Sequence, residues 1–487
     1  MRYHTLASVG VISACLSILD LSVPTGLVGA QMSKSPGKEP LKESMVQGRF
    51  LGLKEALEVA LQQHPLLQAA NANLKAAQAR TEQTRSLYYP QVYADFASAA
   101  GVGGINPRFV TPAGSMLRQN LSQYTGGVIA SQRLYDFGFT KNLVESSEKA
   151  ATAQEHDISS RQALVELNVQ RVYLTSLKQR RLVQIAEDTI RVRGAIKSQV
   201  EALYRQQLKS KLDLAFVQVE LTNAESALVK ARNDVKSGFA NLNRAMGIDG
   251  SEDYVLEDIP IEVRSLPPLD RLLSSSRSHP ELKRAQEQFQ SAEAKVRATK
   301  KQYLPTVNAI GSAGDYETFD ASRPERTGGW WAASAFLSFP LFTGFLIENQ
   351  VGEAKAQQAA ASATISDIGQ ALTQQVTASY LDLISLAQQI KLNEDLVRTA
   401  TEALQLARER YKLGLGTVVE VTQSEVAVTA AQTRLAEAQY DYKISEVTLA
   451  YATQGAAVLA KDMTIGSPAV PLPASRDPLD VIAERKY

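Results

Sequence analysis

Trp330-Trp331-Ala332-Ala333-Ser334-Ala335-Phe336-Leu337-Ser338-Phe339-Pro340-Leu341-Phe342-Thr343-Gly344 is the stretch on which the fold turns. Trp331, Ala333, Ala335, Leu337 and Phe339 fall on one side of a period of two. Ala332, Ser334 and Ser338 fall on the other, where Phe336 interrupts a small, polar face. That alternation predicts a strand with one apolar side. Pro340 closes the segment, and the next 127 residues, up to Pro468, contain no proline. A proline inside a helix costs about 3 kcal/mol, so such a gap, rich in Ala, Leu, Gln, Glu, Lys and Arg, predicts long helices.

The same pattern occurs earlier, where 147 proline-free residues separate Pro112 from Pro260. His64-Pro65 recurs as His279-Pro280 and Tyr89-Pro90 as Leu304-Pro305, both 215 residues on. Leu134-Tyr135-Asp136-Phe137-Gly138 recurs, with one deletion, as Leu341-Phe342-Thr343-Gly344. Tyr173, Tyr204, Leu208 and Asp213 then pair with Tyr380, Tyr411, Leu415 and Glu420 at an offset of 207. One unit has been duplicated. The offset falls because the second copy is shorter between its two middle segments.

Each unit reads helix, strand, strand, helix, helix. The first repeat is expected over residues 51–248, with strands at about 91–101 and 127–135. The second covers 269–461, with strands at about 306–314 and 330–342. A linker (249–268) joins them, another (31–50) precedes them, and the proline-rich 462–487 forms a disordered tail. The opening helices run about Leu51 to Leu87 and Leu269 to Tyr303, and the long ones about Phe139 to Tyr204 and Phe345 to Tyr411. In the last of these, apolar residues from Ile365 to Ile390 recur with a mean spacing of 3.57, between a coiled coil and a straight helix. Sixty-six residues at about 1.5 Å each make a rod of roughly 100 Å. The two shorter helices of each unit, laid end to end, match that length and pack antiparallel along it, leaving a strand hairpin at one end.

Composition narrows the function. The chain of 487 residues carries 52 Lys+Arg against 51 Asp+Glu, without a basic patch for nucleic acid. Cys15 is the only cysteine and His4, His64, His156 and His279 are scattered, so neither metal nor cofactor chemistry is expected. No nucleophile with its base, carboxylate pair or phosphate-binding glycine loop recurs, which argues against an enzyme. Gly101–Gly104 opens a long loop, and Asp315 to Gly329 is read as its counterpart. Residues 1–30 read as an export signal peptide: Arg2, an apolar Leu6 to Val23, then Val28-Gly29-Ala30 for cleavage. Asp20 and Pro24 weigh against a membrane anchor, while Ile12-Ser13-Ala14-Cys15 offers an alternative, lipidated start.

The four strands have the length of membrane-spanning ones. Lipid admits only helices or closed barrels, and four strands cannot close. Two copies would give eight strands and three would give twelve, with the helices continuing as a tube. Trp330, Trp331 and Tyr316 are expected at a membrane interface. The plain alternative is an ordinary sheet edge on a periplasmic coiled-coil scaffold that is not a channel.

Ser131-Gln132-Arg133-Leu134-Tyr135-Asp136-Phe137-Gly138, Pro340-Leu341-Phe342-Thr343-Gly344 and Tyr411-Lys412-Leu413-Gly414-Leu415-Gly416-Thr417-Val418-Val419-Glu420-Val421, in this order within a duplicated unit, resemble the outer membrane efflux proteins, the TolC-like channels. The resemblance implies a mainly α homotrimer with a twelve-stranded barrel in outer-membrane lipid and a long α-helical periplasmic tunnel. Such a duct docks at its tip to a periplasmic adaptor protein and, through it, to an inner-membrane transporter of an efflux or type I secretion system. The periplasmic gate would fall on Glu420, with Asp213 at the equivalent position and Gln423 one turn on, where the family often has Asp. Three carboxylates around an axis raise one another's pKa and focus a negative potential. The bland reading of Glu420 and Asp213 is acids favoured by a helix N-terminus. Docking would fall on Tyr411, Gly414, Leu415, Gly416 and Thr417, and on Tyr204 and Leu208 of the first copy, whose tip lacks both glycines and carries Arg205, Lys209 and Lys211.

Overall fold

The computed structural model describes residues 49–102, 120–250, 252–320 and 323–453. The signal peptide, Cys15, nearly all of the first linker, the core of the Gly101–Gln123 loop and the C-terminal tail lie outside the described residues. In chain order the elements are β1 (Arg49–Leu51), α1 (Leu53–Gln63), α2 (Pro65–Arg85), β2 (Gln91–Val102), β3 (Asn120–Tyr135), α3 (Phe139–Arg205), α4 (Lys211–Met246), β4 (Tyr254–Leu256), α5 (Leu269–Ser276), α6 (Pro280–Lys301), β5 (Thr306–Asp320), β6 (Arg323–Ser338), α7 (Leu346–Lys412) and α8 (Val418–Ala452). No helix among them is long and apolar enough to cross a membrane.

The opening helix of each unit, expected as one piece, is two. His64 and His279 are extended, and a proline stands at the first position of α2 and α6. Proline fits there because it has no N–H to satisfy. The preceding histidine caps the new helix: His64 Nδ1 accepts from Leu66 N at 3.2 Å, and His279 Nδ1 from Glu281 N at 3.3 Å. His279 is fully buried, and burial lowers its pKa, more than Glu281 raises it. A proton on Nδ1 would remove the cap. Since the folded pKa lies below the unfolded value, this stability is complete above about pH 6.5 and is lost as pH falls through the folded pKa. His279→Asn, which keeps a capping oxygen without titrating, is expected to flatten the acid limb of thermal stability by about 1 kcal/mol, read as melting temperature against pH.

The strand hairpins form one antiparallel sheet in the order β2-β3-β5-β6. Gln91 pairs with Ser131 and Thr306 with Ser338, so the change of offset between the repeats lies inside the hairpins. Within Asp315–Gly329, read from sequence as a loop, β5 runs on to Asp320 and β6 begins at Arg323, whereas β6 stops at Ser338, four residues short of the expected end. Pro340 offers no ladder N–H, which accounts for that stop. Both corners into the long helices use two successive left-handed residues: Phe137 and Gly138 in the first, Gly344 and Phe345 in the second. The corners therefore align at 207 without the deletion, Phe137 against Gly344 and Gly138 against Phe345. Each phenylalanine in this conformation costs about 1–2 kcal/mol. Edge contacts to Tyr135 (4.7 Å between centroids) and Phe342 (5.7 Å) hold the rings. Asp136 secures the first corner, accepting from Gly138 N (3.1 Å), Thr140 N (2.9 Å) and Thr140 Oγ1.

The shorter helices lie along α3 and α7, and α6 and α8 of the second repeat also pack on α3. The expected linker 249–268 is structured. Its β4 pairs in parallel with β1, and Tyr254 and Leu256 join Tyr173, Leu242 and Met246 in the main apolar core. Tyr173 Oη lies within hydrogen-bond distance of the Leu51 (3.0 Å) and Glu257 (2.9 Å) carbonyls, and Arg180 Nη1 donates to Leu256 O at 2.8 Å. The segment between the repeats is thus a belt strapped across the helices.

Candidate functional site

The sheet has two unlike faces. Residues opposite one another in an antiparallel ladder share a face, and successive residues alternate. The register puts Val92, Ala130, Gly311 and Ala333 in one row and Ala94, Val128, Ala313 and Trp331 two rows on, hence on the same side. This apolar side is uncovered: Trp331 is 80% and Phe96 84% exposed. The opposite side is mixed: Gln91, Ser131, Ser334, Ser312 and Asp95 share it with Tyr93, Ile129, Ile310 and Phe336.

Of the three aromatics expected together at an interface, only Trp331 lies on the apolar side. Trp330 shares a row with Asp95, and Tyr316 with Thr125, on the opposite, mixed side. Adjacent strand residues point apart, so Trp330 and Trp331 could not share a face. An unforeseen set lies at the corners, where Tyr89, Tyr135, Leu341, Phe342 and Phe345 are exposed. Tyr89-Pro90 and Leu341-Phe342 flank the strands in sequence, which was the available signal for an aromatic girdle.

The opposite ends of α3 and α7 turn into α4 and α8 by the same hydrogen bonds. In the first turn Leu208 N donates to Leu203 O (2.9 Å) and Gln207 N to Tyr204 O (2.8 Å). In the second Leu415 N donates to Arg410 O (2.8 Å) and Gly414 N to Tyr411 O (3.1 Å). This is the paired closure of a helix through a left-handed residue. Gly414 fills that position without strain, while Gln207 adopts it at a φ of 61°. The missing glycines therefore leave the backbone path unchanged. Leu208 and Leu415 project from the two turns, both about two-thirds exposed.

The two acids differ in how they are held. Asp213 closes a capping box with Ser210: its carboxylate accepts from Ser210 N (3.1 Å) and Oγ (2.9 Å), and its own N–H donates to Ser210 Oγ (3.1 Å). Thr417 Oγ1 caps α8 by accepting from Glu420 N at 3.2 Å, while the exposed Glu420 carboxylate faces Arg410 Nε at 3.8 Å. Gln423, also exposed, lies one turn on. Tyr411 is buried, whereas its counterpart Tyr204 is 38% exposed. Lys209 Nζ sits 4.7 Å from the Tyr411 ring centroid, so the two turns touch. Burial, and secondarily Asp213, raise the Tyr411 phenol pKa. Val200, Val217, Leu404, Val418 and Val421 form the apolar cluster behind it.

About two turns further in lies a charge cluster that sequence reading missed. Arg193 Nε donates to Glu425 Oε2 at 2.8 Å, and its Nη1 to the Glu220 carbonyl (2.8 Å) and carboxylate (3.1 Å). Thr429 Oγ1 donates to Glu425 Oε1 at 3.0 Å. Glu425 is 3% exposed. Burial lowers the pKa of Arg408, and Glu425 opposes that shift. The positions lie on four helices, so no local spacing reveals them.

Comparison with known proteins agrees with this geometry. The family described as outer membrane efflux protein matches residues 56–248 and 273–455. Outer membrane efflux protein BepC of Brucella suis biovar 1 is 23% identical over 407 residues, 82% of this chain and 85% of that protein. Protein CyaE of Bordetella pertussis is 25% identical over 394 residues, 79% and 80% of the two chains. The fold is shared with the outer-membrane channel OprN (TM-score 0.73, 19% identity, 83% of this chain and 90% of that one). It is also shared with the open-state MtrE outer membrane channel of Neisseria gonorrhoeae (TM-score 0.67, 18% identity, 85% and 93%). With two matched blocks that together cover well over half of it, the chain belongs to the outer membrane efflux protein family.

Proposed function

We propose that three copies of this chain pool their strands into a twelve-stranded outer-membrane barrel, with the long helices continuing as a periplasmic tunnel. As a member of its family the chain is an outer-membrane exit duct. The observation that carries the reading is the sheet: four strands with an uncovered apolar side, a mixed side that holds the polar residues, and outer strands β2 and β6 each paired on one edge only among the described residues. A scaffold confined to water has no use for such a face, and lipid does not tolerate the open edges. Trp331 and the corner aromatics would mark the two membrane interfaces, with Trp330 and Tyr316 lining the lumen. The duct performs no chemistry; its energy comes from an inner-membrane transporter reached through a periplasmic adaptor that docks around Leu208 and Leu415.

Glu420 supplies the gate. Its carboxylate lies outside the capping bonds that occupy Asp213 and faces Arg410 at 3.8 Å in an exposed, solvent-screened pair, so three copies would present a ring of carboxylates at the constriction, with Gln423 adding no charge. Asp213 stands behind it as a cap. Glu420→Ala is expected to lower the cation preference of the purified channel by about threefold or more, as the focused potential disappears. Reversal potentials under a salt gradient read this directly, and an unchanged preference removes Glu420 from the gate.

A further inference from the structure

The two tryptophans, adjacent on β6, are held differently. Trp331 stands 80% exposed on the apolar side, whereas Trp330 is half-buried on the mixed side. Along its row the ladder places Gly314 on β5 and Gly127 on β3. A methyl group at Gly127 would sit 3.2 Å from Trp330 Cζ2, so the indole lies across both glycines and reaches β3. One row further on, Tyr316 lies down in the opposite direction: a methyl group at its ladder partner Gly328 would meet Cε1, Cζ and Oη of the ring at 3.0 Å. Glycine makes room for each ring against the sheet, and each turns a π-face away from the strands.

The row of Trp330 ends on β2 with Asp95, directly opposite Gly127. Side chains opposite one another in a ladder stand about 5 Å apart, which brings the exposed Asp95 carboxylate beside the edge of the indole. Tyr93, 58% exposed, lies one row back on the same strand and the same side. Over the four rows from Ser334 to Gly328, Asp95 is the only charged residue on this side. Arg133, in the row before them, is drawn to the corner, 3.7 Å from Asp136 and 5.5 Å from the centroid of the Phe139 ring. Arg326 is placed three strands away from Asp95 and two rows further along.

A carboxylate with no cation opposite it, at the edge of an aromatic floor, has the chemistry that takes an organic cation. The face of an indole or phenol ring attracts positive charge within about 6 Å of its centroid, and a flat apolar ring stacks there as well. An anion would meet Asp95 as a like charge, and an uncharged ring would leave the carboxylate unserved.

We propose that the mixed side of the sheet carries a binding site for aromatic organic cations, in which Trp330 stacks the ring, Asp95 takes the charge, and Tyr93 and Tyr316 flank them. The site rests on the twelve-stranded reading above, which turns this side to the lumen and repeats the site three times. The duct then retains such ions and does not pass every solute alike. The 67 residues of α7, roughly 100 Å of helix, separate the site from the Glu420 end.

Single-channel currents of the purified full chain in a planar bilayer test it. Benzyltrimethylammonium, a ring joined to a fixed positive charge, is expected to interrupt the current at a concentration at least tenfold below that needed with tetramethylammonium, which has no ring, or with benzyl alcohol, which has no charge. Asp95→Asn and Trp330→Ala are each expected to raise that concentration at least fivefold, and Trp330→Phe to keep most of the block. Open channels that tetramethylammonium or benzyl alcohol blocks equally well overturn the site, because charge or ring alone then suffices. So does block that survives Asp95→Asn, which would place the cation elsewhere, as at the Glu420 end. If Trp330→Ala yields no channels, Asp95→Asn, at an exposed position, decides. A folded chain that carries no current overturns the duct reading itself, and the lumenal site with it.

Discussion

Glu425→Ala is expected to destabilise the helical body by about 3–5 kcal/mol, the usual result of removing one member of a buried ion pair. The loss is large because the carboxylate serves Arg193 at 2.8 Å and Thr429 at 3.0 Å while almost wholly shielded from water. Without it, Arg193 retains only Glu220, and Arg408 loses the charge that offsets its burial. Urea unfolding of the detergent-solubilised chain, followed by helical circular dichroism, measures the effect. Arg193→Leu with Glu425→Leu together should recover the part of it that the unpaired Arg193 causes, while Arg408 still lacks its offsetting carboxylate. If the double variant is as unstable as the single one, the cluster acts through shape and not through charge.

Gly314→Ala is the second large effect, and it falls on the sheet. A methyl group at Gly314 would meet the Gly126 carbonyl oxygen and sit 2.7 Å from Gly127 Cα, both backbone atoms that no side-chain rotation can move. β3 and β5, the strands that join the two hairpins, would have to part. Overpacking a well-fitted interior costs about 1–3 kcal/mol, and a clash with backbone belongs at or above the top of that range. In the proposed trimer the barrel is therefore expected to be lost while the helices stay folded: fewer trimers that resist mild detergent, with helical circular dichroism unchanged. Gly311→Ala is the matched control, on the same strand with open space around it. Equal behaviour of the two variants would show that the Gly126–Gly127–Gly314 contact does not limit assembly.

The features legible in the sequence were those set by local chemistry. Proline's absence marked α3 and α7 to within a residue or two, since nothing else interrupts so long a run of helix formers. The duplication showed where the turns fall, and the alternation of Trp331 to Leu337 separated the sides of β6. Less legible was whatever depended on a partner distant in sequence. His64 and His279 break their helices because a cap and a proline coincide, a pairing that reads equally well as a point within one helix. Gln207 takes a glycine's conformation because its hairpin requires it. Trp330 and Tyr316 needed the ladder register to be assigned a face. The Arg193–Glu425 contact joins residues 232 apart, and the belt at 249–268 looks like a linker until β4 meets β1.

Ion current through the purified full-length chain in a planar bilayer tests the central claim, that this protein is a duct, most directly. The account predicts stepwise currents with a preference for cations, from a complex extracted out of the outer membrane. A folded, pure chain that passes no current and is recovered from the soluble periplasm would contradict it.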